Sequence, residues 1–231
     1  MARGMTKEEK YRQMIETPVN RLIPRLAVPT IISMLVTSIY NMADTFFVSQ
    51  LSTSASGAVG VMFSAMSMIQ AIGFTLGMGS GNHISRSLGN RDEERAGVFA
   101  ATAFYTAAII GVGILAVGTL FSRQLVFFLG ATETIAPYAQ DYARYILIGA
   151  PFMMTSFVMN NILRSQGNAV FAMVGITVGG ILNMILDPLL IFGLDLGISG
   201  AAIATMVSQI ISFCILLYQC NARPDCIKIQ L

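Results

Sequence analysis

Charge is what this sequence has least of. Lys, Arg, Asp and Glu together make up 11% of its 231 residues, against roughly a quarter in soluble domains. Tryptophan is absent, histidine occurs once (His83), and the three cysteines, Cys214, Cys220 and Cys226, all lie near the C-terminal end. So little charge among so many apolar residues excludes a disordered chain. Three cysteines at intervals of six match no zinc or redox motif and build no disulfide scaffold, and read as free thiols at a membrane boundary. With no nucleophile–base set and no metal-ligand cluster, the chain does not read as an enzyme, and no cofactor or nucleic-acid partner is expected. What the sequence does have is apolar residues, 55% of the total, and a mean hydropathy of +0.68. Those values describe an integral membrane protein.

Six apolar stretches, 26–51, 57–85, 96–120, 138–163, 170–192 and 200–218, are each long enough to cross a hydrocarbon core of about 30 Å. A basic segment, 1–25, precedes them, with no apolar core of the kind a cleavable signal peptide needs, and 219–231 follows them. Lipid offers no partners for backbone groups, so spans are helices or a closed barrel. The alternating segments of about ten residues that mark a barrel are missing. The expected fold is all-α, with six transmembrane helices.

Basic residues orient the spans. Arg3, Lys7, Lys10, Arg12, Arg21 and Arg25 precede the first span, and Arg86, Arg91 and Arg95 join the second to the third. Arg164 joins the fourth to the fifth, and Arg223 and Lys228 follow the sixth. Only Arg123 and Arg144 fall on the opposite side, so both termini are expected in the cytoplasm. The third link, 121–137, reads as polar and aromatic residues at the outer surface, and Asp141 and Arg144, three residues apart, as an interfacial ion pair. Gly73, Gly77 and Gly81, and Gly175 with Gly179, are spaced for close helix packing. Most of the fifteen methionines, Met62, Met66, Met153 and Met154 among them, read as core filling, with an adaptable binding surface as the other use. His83 reads as a polar interfacial residue, and the glycine-rich run 77–81 follows no strand and is no phosphate loop.

Two acids lie well inside spans: Asp44 in the first and Asp187 in the fifth. A charge at mid-membrane costs about 3 kcal/mol on insertion scales and marks a site facing the bundle interior. Asp44 stands seven residues before Leu51, roughly 10 Å from the outer end of its helix at 1.5 Å per residue. Asp187 is five residues before Phe192, and Thr205 five after Gly200, so the three share one depth. Asn183, four residues before Asp187, is on the same face. Two carboxylates, an amide and a hydroxyl at one level suit a hard monovalent cation or a shared proton, because neighbouring carboxylates in a low dielectric resist double ionisation. Pro29 and Pro188 each remove a helix hydrogen bond and introduce a kink. Two blander readings stand beside this one: the fifth helix ends at Leu186, leaving Asp187-Pro188 as an interfacial turn, or Asp44 merely bonds a neighbouring helix.

At these residues the chain resembles a known family. Pro29-Thr30 with the run Ser38 to Val48, the run Gly77 to Gly81 followed by Ser85 to Gly89 and Arg91 to Arg95, Leu163 to Asn168, Asn183 to Phe192, and Gly197 to Thr205 occur in the order and at the separations of the multidrug and toxic compound extrusion (MATE) transporters, in their bacterial DinF-like branch. The resemblance implies secondary active efflux, in which a cationic amphipathic compound leaves in exchange for entering Na⁺ or H⁺, across a multi-pass protein of the cell membrane, the inner membrane of a bacterium. It implies twelve helices in two six-helix lobes. Asp44, Asn183, Asp187 and Thr205 match the family's cation or proton site in the N-terminal lobe, and they are where any Na⁺ would bind. Tyr142 and Asn160 match further polar positions lining that lobe, and Pro29 matches the bend of the first helix.

The family's chains are about twice as long. This one carries six helices, and 219–231 resembles the start of the inter-lobe linker, cut short. The expected partners are therefore membrane lipid, a small organic cation and a second six-helix lobe, as a C-terminal half or another chain. Two other readings are a flippase of a lipid-linked precursor and a non-transporting fragment or assembly subunit. The flippase needs cations in its central cavity, whereas every Lys and Arg here falls near a span end or in a loop.

Overall fold

A computed structural model describes residues 7–222 and Cys226. Its helices are α1 (Lys7–Glu16), α2 (Val19–Ser49), α3 (Thr53–Gly89), α4 (Glu93–Leu120), α5 (Ser122–Phe128), α6 (Ala136–Ser165), α7 (Ala169–Pro188) and α8 (Gly197–Ala222), with a π turn, Leu189–Gly193, continuing α7. Among the described residues there is no strand. Six of these helices, α2, α3, α4, α6, α7 with its π turn, and α8, are long and apolar enough to cross a membrane.

Polar side chains cap the starts of two spans, which begin before their apolar windows. Ser52 accepts the Ala55 N–H at 3.0 Å and starts α3. Asp92 accepts the Arg95 N–H at 2.9 Å and starts α4. Each satisfies one of the amide groups a helix start leaves without a partner.

α6 is the centre of the lobe. It packs on α3, α4, α7 and α8, and α2 packs mainly on α7. The glycines make these approaches close. On α3, a Cβ at Gly73 would lie 3.2 Å from the Met154 carbonyl oxygen of α6, and one at Gly77 would strike Asn161. On α4, a Cβ at Gly111 would sit 2.6 Å from Pro151 Cα. On α7, Gly179 faces Ser208 and Ser212 of α8, while Gly180 faces Val36 and Tyr40 of α2. Met62, Met66, Met153 and Met154 are buried core residues. The outward faces remain apolar where no helix covers them, as with Ile31, Leu35, Ile39 and Met42 of α2.

Several local features differ from the expectations. The outer link contains a helix, α5, because 122–128 is an amphipathic turn that buries Val126 and leaves Phe128 exposed. The basic segment contains α1, which is clasped to the lobe. Tyr11 donates to the Gly89 carbonyl at 3.3 Å, and Arg91 reaches both the Glu8 carboxylate at 3.3 Å and the face of the Tyr11 ring. Asp141 and Arg144 form no ion pair among the described residues: both are exposed and line an outer cleft, where hydration competes with a pair three residues apart. Helix five does not end at Leu186; α7 runs through Pro188 and into the π turn, where Leu194 N–H bonds the Leu189 carbonyl. Asp187 is therefore helical and fully buried, not part of a turn that ends the helix.

α2 is likewise helical straight through Pro24 and Pro29, with the Ser33 hydroxyl donating to the Pro29 carbonyl at 2.9 Å. His83 stacks on Phe99. Cys220 and Cys226 are buried and Cys214 is exposed, with no disulfide among the described residues. Beyond Ala222, only Cys226 of the expected linker falls within the described residues, and its sulfur accepts from the Asn168 side-chain amide at 3.0 Å.

Candidate ion-coupling site

Five polar side chains from four helices meet inside the lobe. Asp44 reaches in from α2, Tyr142 from α6, Asn183 and Asp187 from α7, and Thr205 from α8. All are buried: Tyr142 and Asp187 completely, and Asp44 with 7% of its surface exposed. The four-residue spacing of Asn183 and Asp187 puts both on the α7 face turned toward α8 and α2. Gly180, one turn earlier, lets α2 come close enough to deliver Asp44.

The hydrogen bonds form two groups. Tyr142 donates its hydroxyl to Asp44 Oδ2 at 3.2 Å. The Asn183 amide donates to Asp187 Oδ1 and to the Thr205 hydroxyl, each at 3.2 Å. Three oxygens are left over. Asp44 Oδ1, Asp187 Oδ2 and Asn183 Oδ1 are buried and have no partner. Such groups are costly in a low dielectric unless something positive completes them. Among the described residues no Lys or Arg forms an ion pair with either acid. Among the described residues there is no cluster of three or more His, Cys, Asp or Glu that could hold a metal ion. The donor set is instead two carboxylate oxygens, an amide oxygen and a hydroxyl, all hard oxygens, suited to a monovalent cation or to a proton held between the acids.

Of the six polar residues predicted, five are brought together and one is not. Asn160 stands apart: it is eighteen residues from Tyr142 on α6, about 27 Å along the axis. It is fully buried there and donates to the Ala172 carbonyl of α7 at 2.8 Å, tying the two helices near their other ends. Its α6–α7 tie is structural, and it does not share the carboxylate cluster.

Other polar residues were not anticipated. A narrow cavity of about 20 Å³ runs from Asn183 and Thr205 past Tyr40, Ser156, Ser208 and Gln209 to Ser212. That is room for a single water. The hydroxyls of Ser156 and Ser208 are buried in it without partners. Spacing carries the signal that finds them: Thr205, Ser208 and Ser212 recur at three and four residues, as do Thr37, Tyr40 and Asp44, so each set marks one helix face.

A lobe of six helices able to span a membrane, with an acidic, oxygen-rich cluster buried in its interior, is the class of structure these observations define. The MatE family model matches residues 29–189, and the chain belongs to that family. It is 34% identical over 203 residues to an FAD transporter of Shewanella oneidensis, covering 86% of this chain and 45% of that protein. It is 28% identical over 228 residues to the multidrug export protein MepA of Staphylococcus aureus, covering 97% and 51%. Among solved structures, an outward-facing multidrug resistance MATE family transporter of the MOP superfamily superposes with a TM-score of 0.89 at 32% identity, over 98% of this chain and 50% of that one. A MOP superfamily transporter from Pyrococcus furiosus gives 0.88 at 32% identity, over 97% and 49%. The chain thus spans about half the length of the relatives it matches.

Proposed function

We propose that this chain acts as the N-terminal lobe of a secondary antiporter that exports cationic amphipathic compounds in exchange for Na⁺ or H⁺, working against a second six-helix lobe in a cell membrane. One observation carries the reading: two carboxylates, Asp44 on α2 and Asp187 on α7, are buried in one lobe interior with three orphan oxygens among them and Asn183, and no described Lys or Arg pairs with either. An entering cation or proton supplies the missing charge. Asp44 and Asp187 are its ligands or carriers, Asn183 and Thr205 hold Asp187 in place, and Tyr142 holds Asp44. Neutralising the acids removes the repulsion between α2 and α7. The loss of that ion recreates it, which biases the lobe between two conformations. Pro24 and Pro29, which leave α2 without two of its ladder bonds, are where that helix yields. A cationic cargo competes for the same negative interior, and so can be exchanged for the ion.

The test is ethidium efflux from cells carrying the lobe in its complete transporter. Asp44→Asn and Asp187→Asn, each expressed and inserted like the parent, are expected to abolish ion-driven efflux. Wild-type efflux from both would refute the coupling role. Export of FAD without export of any organic cation would replace the cationic cargo, since the FAD transporter is among the relatives.

A further inference from the structure

A second polar site lies at the end of the lobe opposite the arginine-rich loops. Thr119 and Ser122, Gln140, Asp141 and Arg144 line a cleft of about 340 Å³ between the end of α4, the start of α5 and the first turns of α6. Its floor is closed where Gly118 lets α4 come down on Leu147. The contents of this cleft are chemically specific. Arg144 is a guanidinium without an acid and Asp141 a carboxylate without a base, on one face of one helix, and they do not neutralise each other. Thr119 already donates its proton to the Leu115 carbonyl at 2.7 Å and is left as an acceptor, while Ser122 and Gln140 add a hydroxyl and an amide. Its rim carries apolar residues: Leu120, Phe121 and Tyr138, each next in sequence to a lining residue, are exposed. Aromatic and apolar residues in that position mark the membrane–water boundary.

We infer that this cleft binds the headgroup of a zwitterionic phospholipid bearing a primary amine, of the phosphatidylethanolamine class. Arg144 takes the phosphate through paired N–H groups, the geometry in which guanidinium and phosphate match best. Asp141 takes the ammonium, with Thr119 as a second acceptor. The volume is at the lower end of ligand pockets, about 300–1,000 Å³, enough for a headgroup and not for acyl chains, which lie on the apolar rim. A trimethylated headgroup has no N–H to give Asp141, and a glycerol headgroup has no cation. The site therefore discriminates among lipids by one hydrogen-bonding charge. This assignment is independent of the transport reading, since it shares no residue with the ion-coupling cluster.

The experiment is native mass spectrometry of the full chain, purified in mild detergent and offered equal amounts of phosphatidylethanolamine, phosphatidylcholine and phosphatidylglycerol. The wild type is expected to keep one phosphatidylethanolamine, preferred about tenfold, the size of one charge-assisted hydrogen bond. Arg144→Ala is expected to lose that lipid by a similar factor, and Arg144→Lys to recover part of it. Asp141→Asn is expected to keep phospholipid and lose the preference between the amine and choline headgroups. Melting temperatures within the parent's range show that the variants are folded. Equal retention of all three lipids by the wild type would overturn the proposal, as would folded variants that bind like the parent. Displacement of the lipid by free O-phosphoethanolamine at equal concentration would also overturn it, by showing a soluble ligand in place of a membrane one.

Discussion

Two glycines of α4, two residues apart, are expected to respond oppositely to the same methyl group. At Gly111 an added Cβ would stand 2.6 Å from Pro151 Cα and 3.2 Å from Pro151 N and Cβ, atoms of a backbone that cannot rotate away. Carbon atoms rest at about 3.5–4.0 Å, so α4 and α6 must separate by about 1 Å. Overpacking of this kind costs about 1–3 kcal/mol. At Gly113 nothing lies within 4 Å of the new atom. Both variants gain about 1 kcal/mol of helix propensity on replacing Gly with Ala. Gly113→Ala therefore comes out neutral to about 1 kcal/mol more stable, and Gly111→Ala neutral to about 2 kcal/mol less. The contrast between them, about 1–3 kcal/mol, does not depend on the propensity term. For a chain of this length each kcal/mol is roughly 2–4 °C. Size-exclusion profiles of detergent-purified protein after a graded heat step measure it, with Gly111→Ala melting several degrees below Gly113→Ala. Equal midpoints, or the reverse order, would refute the claim that α4 and α6 touch backbone to backbone at Pro151.

Tyr142→Phe removes the hydroxyl that holds Asp44 Oδ2 at 3.2 Å. It is expected to cost about 1 kcal/mol, read as about a fivefold shift in the ion concentration giving half-maximal efflux, with cargo affinity unchanged. Gly180→Val is expected to force α2 off α7, since even a Cβ there lies 2.9 Å from Val36 Cγ1, and to abolish coupling in a protein that still inserts; parental efflux from it would show that α2 has slack. Ser52→Ala is expected to lower stability by about 1 kcal/mol, through the lost bond to the Ala55 N–H, in a thermal melt. Single cysteines in place of Arg95 and Arg123, in a background without Cys214, Cys220 and Cys226, are expected to label with an impermeant maleimide from opposite sides, Arg123→Cys from outside. Labelling from the same side would overturn the orientation.

Six helices and the meeting of Asp44 with Asp187 were legible because both rest on strong, local quantities. An apolar run must be about twenty residues to cross, and depth along a straight helix is counted in steps of 1.5 Å. What escaped depends on packing between helices. Nothing in the spacing of Tyr142 says that its hydroxyl bonds Asp44, because α6 and α2 are far apart in sequence. Asn160, equally polar on the same helix, turned to Ala172, a partner that only the α6–α7 crossing reveals. Pro188 read as a kink within the fifth span, with a helix end at Leu186 as the alternative, and the π turn that carries the helix past it has no sequence signature. α5 is seven residues long and too short for a periodic pattern to stand out. Asp141 and Arg144 are spaced as a pair but share a cleft with other polar groups, and spacing does not report how open to water a surface is.

α6 is by far the most buried of the six spans and has the lowest mean hydropathy among them. It carries Tyr142, Thr155, Ser156, Asn160 and Asn161 on surfaces that lipid would not solvate. During synthesis at the translocon, such a segment partitions poorly into the bilayer by itself and waits for company. Of the helices it packs on, α3 and α4 leave the ribosome before it, while α7 and α8 come later. The order of the genetic text therefore matters to biogenesis: the pillar emerges when two of the walls that shield its polar side already stand. A circular permutation that makes α6 the first span is expected to insert badly, although the finished fold would contain the same contacts.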